Sequence, residues 1–286
     1  MTFAGFFSAQ SGGADQTARV LVWEQMLHQA LRLLDEAQRR VCCADGQAQL
    51  RKLNGWWRAT KPKLNGKYCR VPAEEAISEA LWREMEKIRE EIVLKLLPAD
   101  PAMASIDTLQ VCIEQPRKSK TGIGKHSKPT DIRFYRLGSE ILDLRIEAKV
   151  ILRERDIKSA YLSKSGLKRF SDPKEPYTDH EIGGMLAYAV TDDKAIWLTR
   201  IENALRGSSP PVPTFKHHVH AAPDETLFSR VPYAVRTGVR NEVLVFHIVL
   251  EFASEPDARI RMGAPAPTPF STPASSGGSP RSPRNK

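Results

Sequence analysis

Thiols are scarce in this chain: Cys42, Cys43, Cys69 and Cys112 are the only cysteines among 286 residues. No two stand in CxxC spacing, which excludes the usual zinc knuckle or dithiol redox motif. So sparse a set reads as reduced, and the expected compartment is the cytoplasm. Long apolar runs are missing too, since nothing approaches 18 consecutive apolar residues. The opening MTFAGFFSAQSGG has neither a basic start nor a long apolar stretch, so the expectation is no signal peptide and no membrane partner. Acid is in short supply relative to base, with 34 Asp and Glu against 43 Lys and Arg, a formal net charge of +9. That surplus favours a polyanionic partner. At 27% charged and 41% hydrophobic the chain is neither collagen-like nor wholly disordered, and its length allows one or two domains.

Residues 263–286 lack acid altogether, and Gly, Pro and Ser fill 14 of their 24 positions, so a disordered basic tail is expected. Residues 1–17 are small and polar enough to read as a flexible end. In residues 20–41, Val22, Met26, Leu27, Ala30, Leu33, Leu34 and Ala37 recur at helical spacing. Residues 54–70 (NGWWRATKPKLNGKYCR) read as a loop, so 18–70 becomes a helix followed by a basic aromatic loop. A second helix is predicted from Pro72 to about residue 97, with Pro98 ending it. Its stripe of Ile77, Leu81, Ile88 and Ile92 has Glu74 close to its centre. A carboxylate on a buried helix face is costly unless a cation or donor meets it.

Strands are predicted at 107–114, 131–137 and 141–152, then a helix at 180–190 and strands at 195–201 and 242–252. The order αβββαβ over residues 71–262 points to an α/β or α+β domain.

The hairpin at 130–152 is the most informative stretch. Leu142, Leu144, Ile146, Ala148, Val150 and Leu152 alternate with Asp143, Arg145, Glu147 and Lys149. The preceding strand alternates likewise, with Ile132 and Phe134 on one face and Asp131, Arg133 and Tyr135 on the other. A turn centred near Gly138 and Ser139 makes antiparallel partners sum to about 278. Asp131 then faces Glu147 at roughly 5 Å. Carboxylates that close call for a cation, and Mg²⁺ suits them, because it takes one or two carboxylates, a backbone carbonyl and waters. Lys149 projects beside the same site, placed to hold a water and offset charge on a phosphate. The other reading of such a face is a solvated surface laced with cross-strand ion pairs.

Asp131, then Glu147-Ala148-Lys149 in the following strand, behind a helix carrying Glu74, resembles the PD-(D/E)XK (restriction-endonuclease-like) nuclease superfamily. Pro129-Thr130-Asp131 stands where that pattern has Pro-Asp. [DE]xK also occurs at Asp156, Asp172 and Asp192, but only Glu147 lies in an amphipathic strand opposite an acid. The resemblance implies a restriction-endonuclease-like core with a central mixed sheet flanked by helices. It implies Asp131, Glu147 and the Ala148 carbonyl as ligands of Mg²⁺ (Mn²⁺ as substitute), Lys149 as catalytic lysine and Glu74 as helix acid. The expected activity is Mg²⁺-dependent hydrolysis of DNA, in restriction or phage defence, by a homodimer or a complex with other defence subunits. A non-catalytic nucleic-acid-binding subunit of the same fold and an RNA nuclease remain open.

Residues 115–170 hold 15 Lys and Arg against 6 Asp and Glu. Candidate phosphate contacts there are Arg117, Lys118, Lys120, Lys125 and Lys128 before the hairpin, and Lys164, Lys168 and Arg169 after it. Gly183 and Gly184 would let the expected helix approach the sheet. Trp56, Trp57, Arg58, Lys61, Lys63, Lys67 and Tyr68 form either a base-stacking surface or a loop anchored by tryptophan. His217, His218 and His220 lack a matching Cys or acid pair and read as a polar loop entering a strand.

Overall fold

A computed structural model describes residues 3–10, 16–64, 67–97, 103, 105–116, 129–136, 142–173, 176–178, 180–219, 225–234 and 240–252. In chain order the elements are α1 (Phe3–Gln10), α2 (Gln16–Cys42), α3 (Ala44–Leu50), β1 (Lys63–Leu64), β2 (Lys67–Tyr68), α4 (Glu74–Val93), β3 (Leu109–Pro116), β4 (Pro129–Arg136) and β5 (Asp143–Ile151). A one-turn α5 (Glu154–Asp156), a π-helical turn (Ile157–Tyr161) and a 3-10 turn (Leu167–Ser171) lead to β6 (Ile182–Ala189). α6 (Lys194–Arg206), β7 (Thr214–His217), β8 (Thr226–Ala234) and β9 (Arg240–Glu251) follow.

The architecture is α+β, a seven-stranded mixed sheet flanked by helices, in the order β3-β4-β5-β6-β9-β8-β7. β5, β6 and β9 run parallel at the centre, and antiparallel pairs complete both sides. Parallel neighbours need a crossover, and between β5 and β6 it consists of the short helical turns rather than a long helix.

Each sheet face carries its own core. On one, α2 lays down Met26, Leu27, Ala30, Leu33, Leu34 and Ala37, α4 lays down Ile77, Leu81, Met85 and Ile88, and the even-numbered residues of β5 meet them. Fully burying a side chain of this size contributes roughly 1.5–3 kcal/mol. Arg40 clamps the two helices by donating from Nη1 and Nη2 to the Glu91 carboxylate at 3.0 and 2.7 Å. Beneath the other face, Trp197, Ile201 and Leu205 of α6 pack with Ile157, Tyr161 and Phe170 of the turns.

Several expectations are corrected here. The helix expected at 180–190 is instead the strand β6 (Ile182–Ala189): all eight of its residues are buried, and alternate ones feed the two cores. Residues 195–201 belong to α6, because Trp197, Ile201 and Leu205 at i, i+4 and i+8 turn one face to the core. Gly183 and Gly184 therefore sit in a strand, where Phe170 and Phe246 lie against the space a Cβ would fill. The expected flexible end, 1–17, contains α1, with Phe3, Phe6 and Phe7 buried. Strands β7 and β8 were not anticipated. Within 54–70, Trp56 is buried as a loop anchor, Tyr68 is exposed, and β1 pairs with β2. The His217 ring stacks on Phe3 and its Nε2 lies 3.3 Å from Glu24 Oε1, whereas His220 falls outside the described residues. The expected tail, 263–286, lies outside them as well. Among the described residues, no helix is long and apolar enough to cross a membrane.

Candidate active site at the β4–β5 fork

The β4–β5 ladder runs from Tyr135 opposite Asp143 to Ile132 opposite Ile146, so partner numbers sum to 278 as anticipated. The turn placed near Gly138 and Ser139 is outside the described residues. One step past Ile132 and Ile146 the same register meets Asp131 and Glu147. There carboxylates take over from the ladder as partners for β5 backbone N–H groups. Ala148 N donates to Asp131 Oδ2 at 2.6 Å, and Val150 N donates to Glu74 Oε2 at 2.9 Å.

Glu74 reaches the fork because it is the first residue of α4, where a negative charge also suits the helix dipole. Its other oxygen accepts from Lys149 Nζ at 3.0 Å. The same ammonium donates to Glu147 Oε1 and to the Ala148 carbonyl, each at 2.7 Å. Glu74, Asp131, Glu147 and Lys149 are thus brought together, as the sequence reading required.

Three carboxylates around one ammonium leave two formal negative charges in a half-buried site. Burial, and then the charge of Asp131, push Glu147 up to about 8. Burial also raises Asp131 to about 6, against the opposing pull of Lys149 and the Ala148 N–H. Lys149 moves the other way: burial alone would lower it, but Glu147, Glu74 and Asp131 hold it above the ordinary lysine value. Tyr177, missed as a site residue, packs beside Glu147 and donates from its hydroxyl to the Ser165 carbonyl at 3.1 Å.

The charged face of β5 was expected to have a solvated reading as its rival. Instead Asp143, Arg145 and Glu147 are all buried, because the segment carrying Phe170 and Tyr177 covers that side of the sheet. Arg133 donates from Nε and Nη2 to Asp143 Oδ1 and Oδ2 at 2.8 and 3.0 Å, and Arg145 reaches the same Oδ2. Alternation had placed these residues on one face with Glu147, and that was the available signal for them.

Arg117, Lys118, Lys120, Lys125 and Lys128 lie outside the described residues. Lys164 and Lys168 are exposed on the turns after β5. Arg169, read as a phosphate contact, is buried beside the fork, with its guanidinium 5.4 Å from the Tyr177 ring centroid.

No group of three or more His, Cys, Asp or Glu suited to a metal is found among the described residues. Mg²⁺ asks for less, since it keeps several waters and accepts one or two carboxylates. Asp131, Glu147 and the Ala148 carbonyl are hard oxygen donors in a site with surplus negative charge, and they fit such an ion. Comparison with known proteins gives no identification: no family model, no curated protein and no solved structure matches the chain.

Proposed function

We propose that the chain is a Mg²⁺-dependent nuclease that hydrolyses phosphodiester bonds of DNA at the β4–β5 fork, with a restriction-endonuclease-like core. The observation that carries this reading is the Lys149 ammonium, held by Glu74, Glu147 and the Ala148 carbonyl one residue from the backbone N–H that Asp131 accepts. An ammonium so fixed loses little entropy in orienting a water and offsets charge developing on a phosphoryl oxygen. Asp131, Glu147 and the Ala148 carbonyl would hold the ion. The chemistry it supplies when bound is polarisation of the phosphoryl oxygen and a lower pKa for water. Glu74 is a positioning residue, because its contacts are with Lys149 and the β5 backbone.

The test is incubation of purified protein with plasmid, linear DNA and RNA, in Mg²⁺ or EDTA. Cleavage of DNA in Mg²⁺ alone is expected, lost in Asp131→Ala and Lys149→Ala while DNA binding is retained. Cleavage confined to RNA would reassign the substrate, and DNA binding without turnover would identify a non-catalytic subunit. Full activity in either variant would refute the assignment of residues.

A further inference from the structure

Two residues before Glu147 on the same face of β5, the Arg145 side chain is 7% exposed. Its Nε and Nη2 donate to Asp143 Oδ2 at 3.3 and 3.1 Å, while the buried Nη1 has no hydrogen-bond partner among the described residues. A guanidinium carries five N–H donors, and leaving buried ones unmet is costly. Asp143 cannot neutralise what surrounds it: Arg133 also binds its carboxylate, and His180 Nε2 lies 3.9 Å from Oδ2. Among the described residues, the Asp143 carboxylate faces two guanidinium groups directly beside the negative fork. Exposure is graded, with Arg133 and His180 at 23% and 27% and Arg145 beneath them.

We propose that Arg145, with Arg133 and His180 at its rim, forms an anion subsite that takes the phosphate next to the one cleaved. The identity of that phosphate as part of a nucleic acid rests on the nuclease reading. The anion chemistry itself rests only on the cluster. Alternate residues of a strand are roughly 7 Å apart, the scale that separates neighbouring phosphates in a nucleotide chain. A strand engaged at Asp131 and Glu147 therefore presents its next phosphate at Arg145. The planar guanidinium fork suits phosphate oxygens better than an ammonium does, and Nη1 supplies the donors that Asp143 leaves over.

The test uses the full chain in EDTA, with thermal denaturation followed against inorganic phosphate concentration. The wild type is expected to gain stability saturably. Arg145→Lys, which keeps the charge but loses the fork, should weaken the apparent phosphate affinity about tenfold, and Arg133→Gln should weaken it several-fold. A purely structural Arg145 would lower the starting Tm and leave the phosphate dependence unmoved. If Arg145→Lys does not fold, Arg133→Gln carries the test alone. No saturable stabilisation of the wild type, or an unchanged phosphate affinity in the folded variants, would overturn the subsite. A wild type that cleaves nothing yet binds phosphate through Arg145 would instead remove the nuclease reading and leave the subsite standing.

Discussion

Glu147 is a carboxyl group that resists ionisation in the fold, and this makes stability depend on pH in a definite direction. Its folded value of about 8 lies above the ordinary 4.5, so between those values the unfolded chain has released a proton that the folded chain retains. Stability therefore falls as pH rises. Asp131 acts in the same sense from about 4 to 6. Buried His247 acts in the opposite sense, because burial lowers it to about 3 and the unfolded chain holds the extra proton up to about 6.5. Between pH 6.5 and 8 Glu147 stands alone among these three. In EDTA the loss over that window should be on the order of 1–2 kcal/mol, read as a falling Tm. Glu147→Gln should flatten it. On the proposed reading, Mg²⁺ should restore more stability at pH 8 than at pH 6.5, because the ion would compete with the proton for the same oxygens. A Tm that rises through this window in EDTA would contradict the buried carboxylate pair.

At the scale of elements, β6 shows why part of the fold was legible and part was not. The pairing of β4 with β5, and with it the meeting of Asp131 and Glu147, could be read because both strands alternate and because register slips of one residue would invert the faces. β6 has no alternation to read: a strand buried on both faces is a continuous apolar run, and GGMLAYA contains enough helix formers to imitate a helix. Its two glycines carry the decisive clue. A Cβ on Gly183 would stand 2.3 Å from Phe170 Cε1, and one on Gly184 would stand 2.2 Å from Phe246 Cζ, on opposite faces of the sheet. Gly184→Ala should therefore destabilise by about 1–3 kcal/mol through overpacking, measured as a shift of the urea midpoint at constant m-value. Gly183→Ala should do the same and also disturb the fork, since Gly183 pairs with Arg145 and its ring neighbour Phe170 packs on Tyr177. Wild-type stability in both variants would show that the rings are not seated on the strand.

For the whole molecule, the N-terminal residues bear on the sheet although the candidate site is distant in sequence. A composition count of residues 1–17 sees glycine, serine and alanine, and passes over Phe3, Phe6 and Phe7 at i, i+3 and i+4, which is a helical stripe one turn long. Phe3 packs against His217 of β7 and Phe228 of β8, at the end of the sheet opposite β3. α2 packs against α4, whose first residue is Glu74, so β8, the long helix and the helix that carries the site acid share one core. Truncating a buried Phe costs roughly 3–5 kcal/mol, and a folded chain has on the order of 5–15 kcal/mol in hand. Deletion of residues 1–12 removes three such rings together. It should lower Tm by more than any single substitution at the fork and expose β7 and β8 to association; on the proposed nuclease reading it should reduce cleavage through loss of folded protein rather than loss of chemistry. Calorimetry with a soluble-fraction assay checks this. A truncated chain that keeps the full-length Tm would mean that α1 rests on the sheet without supporting it.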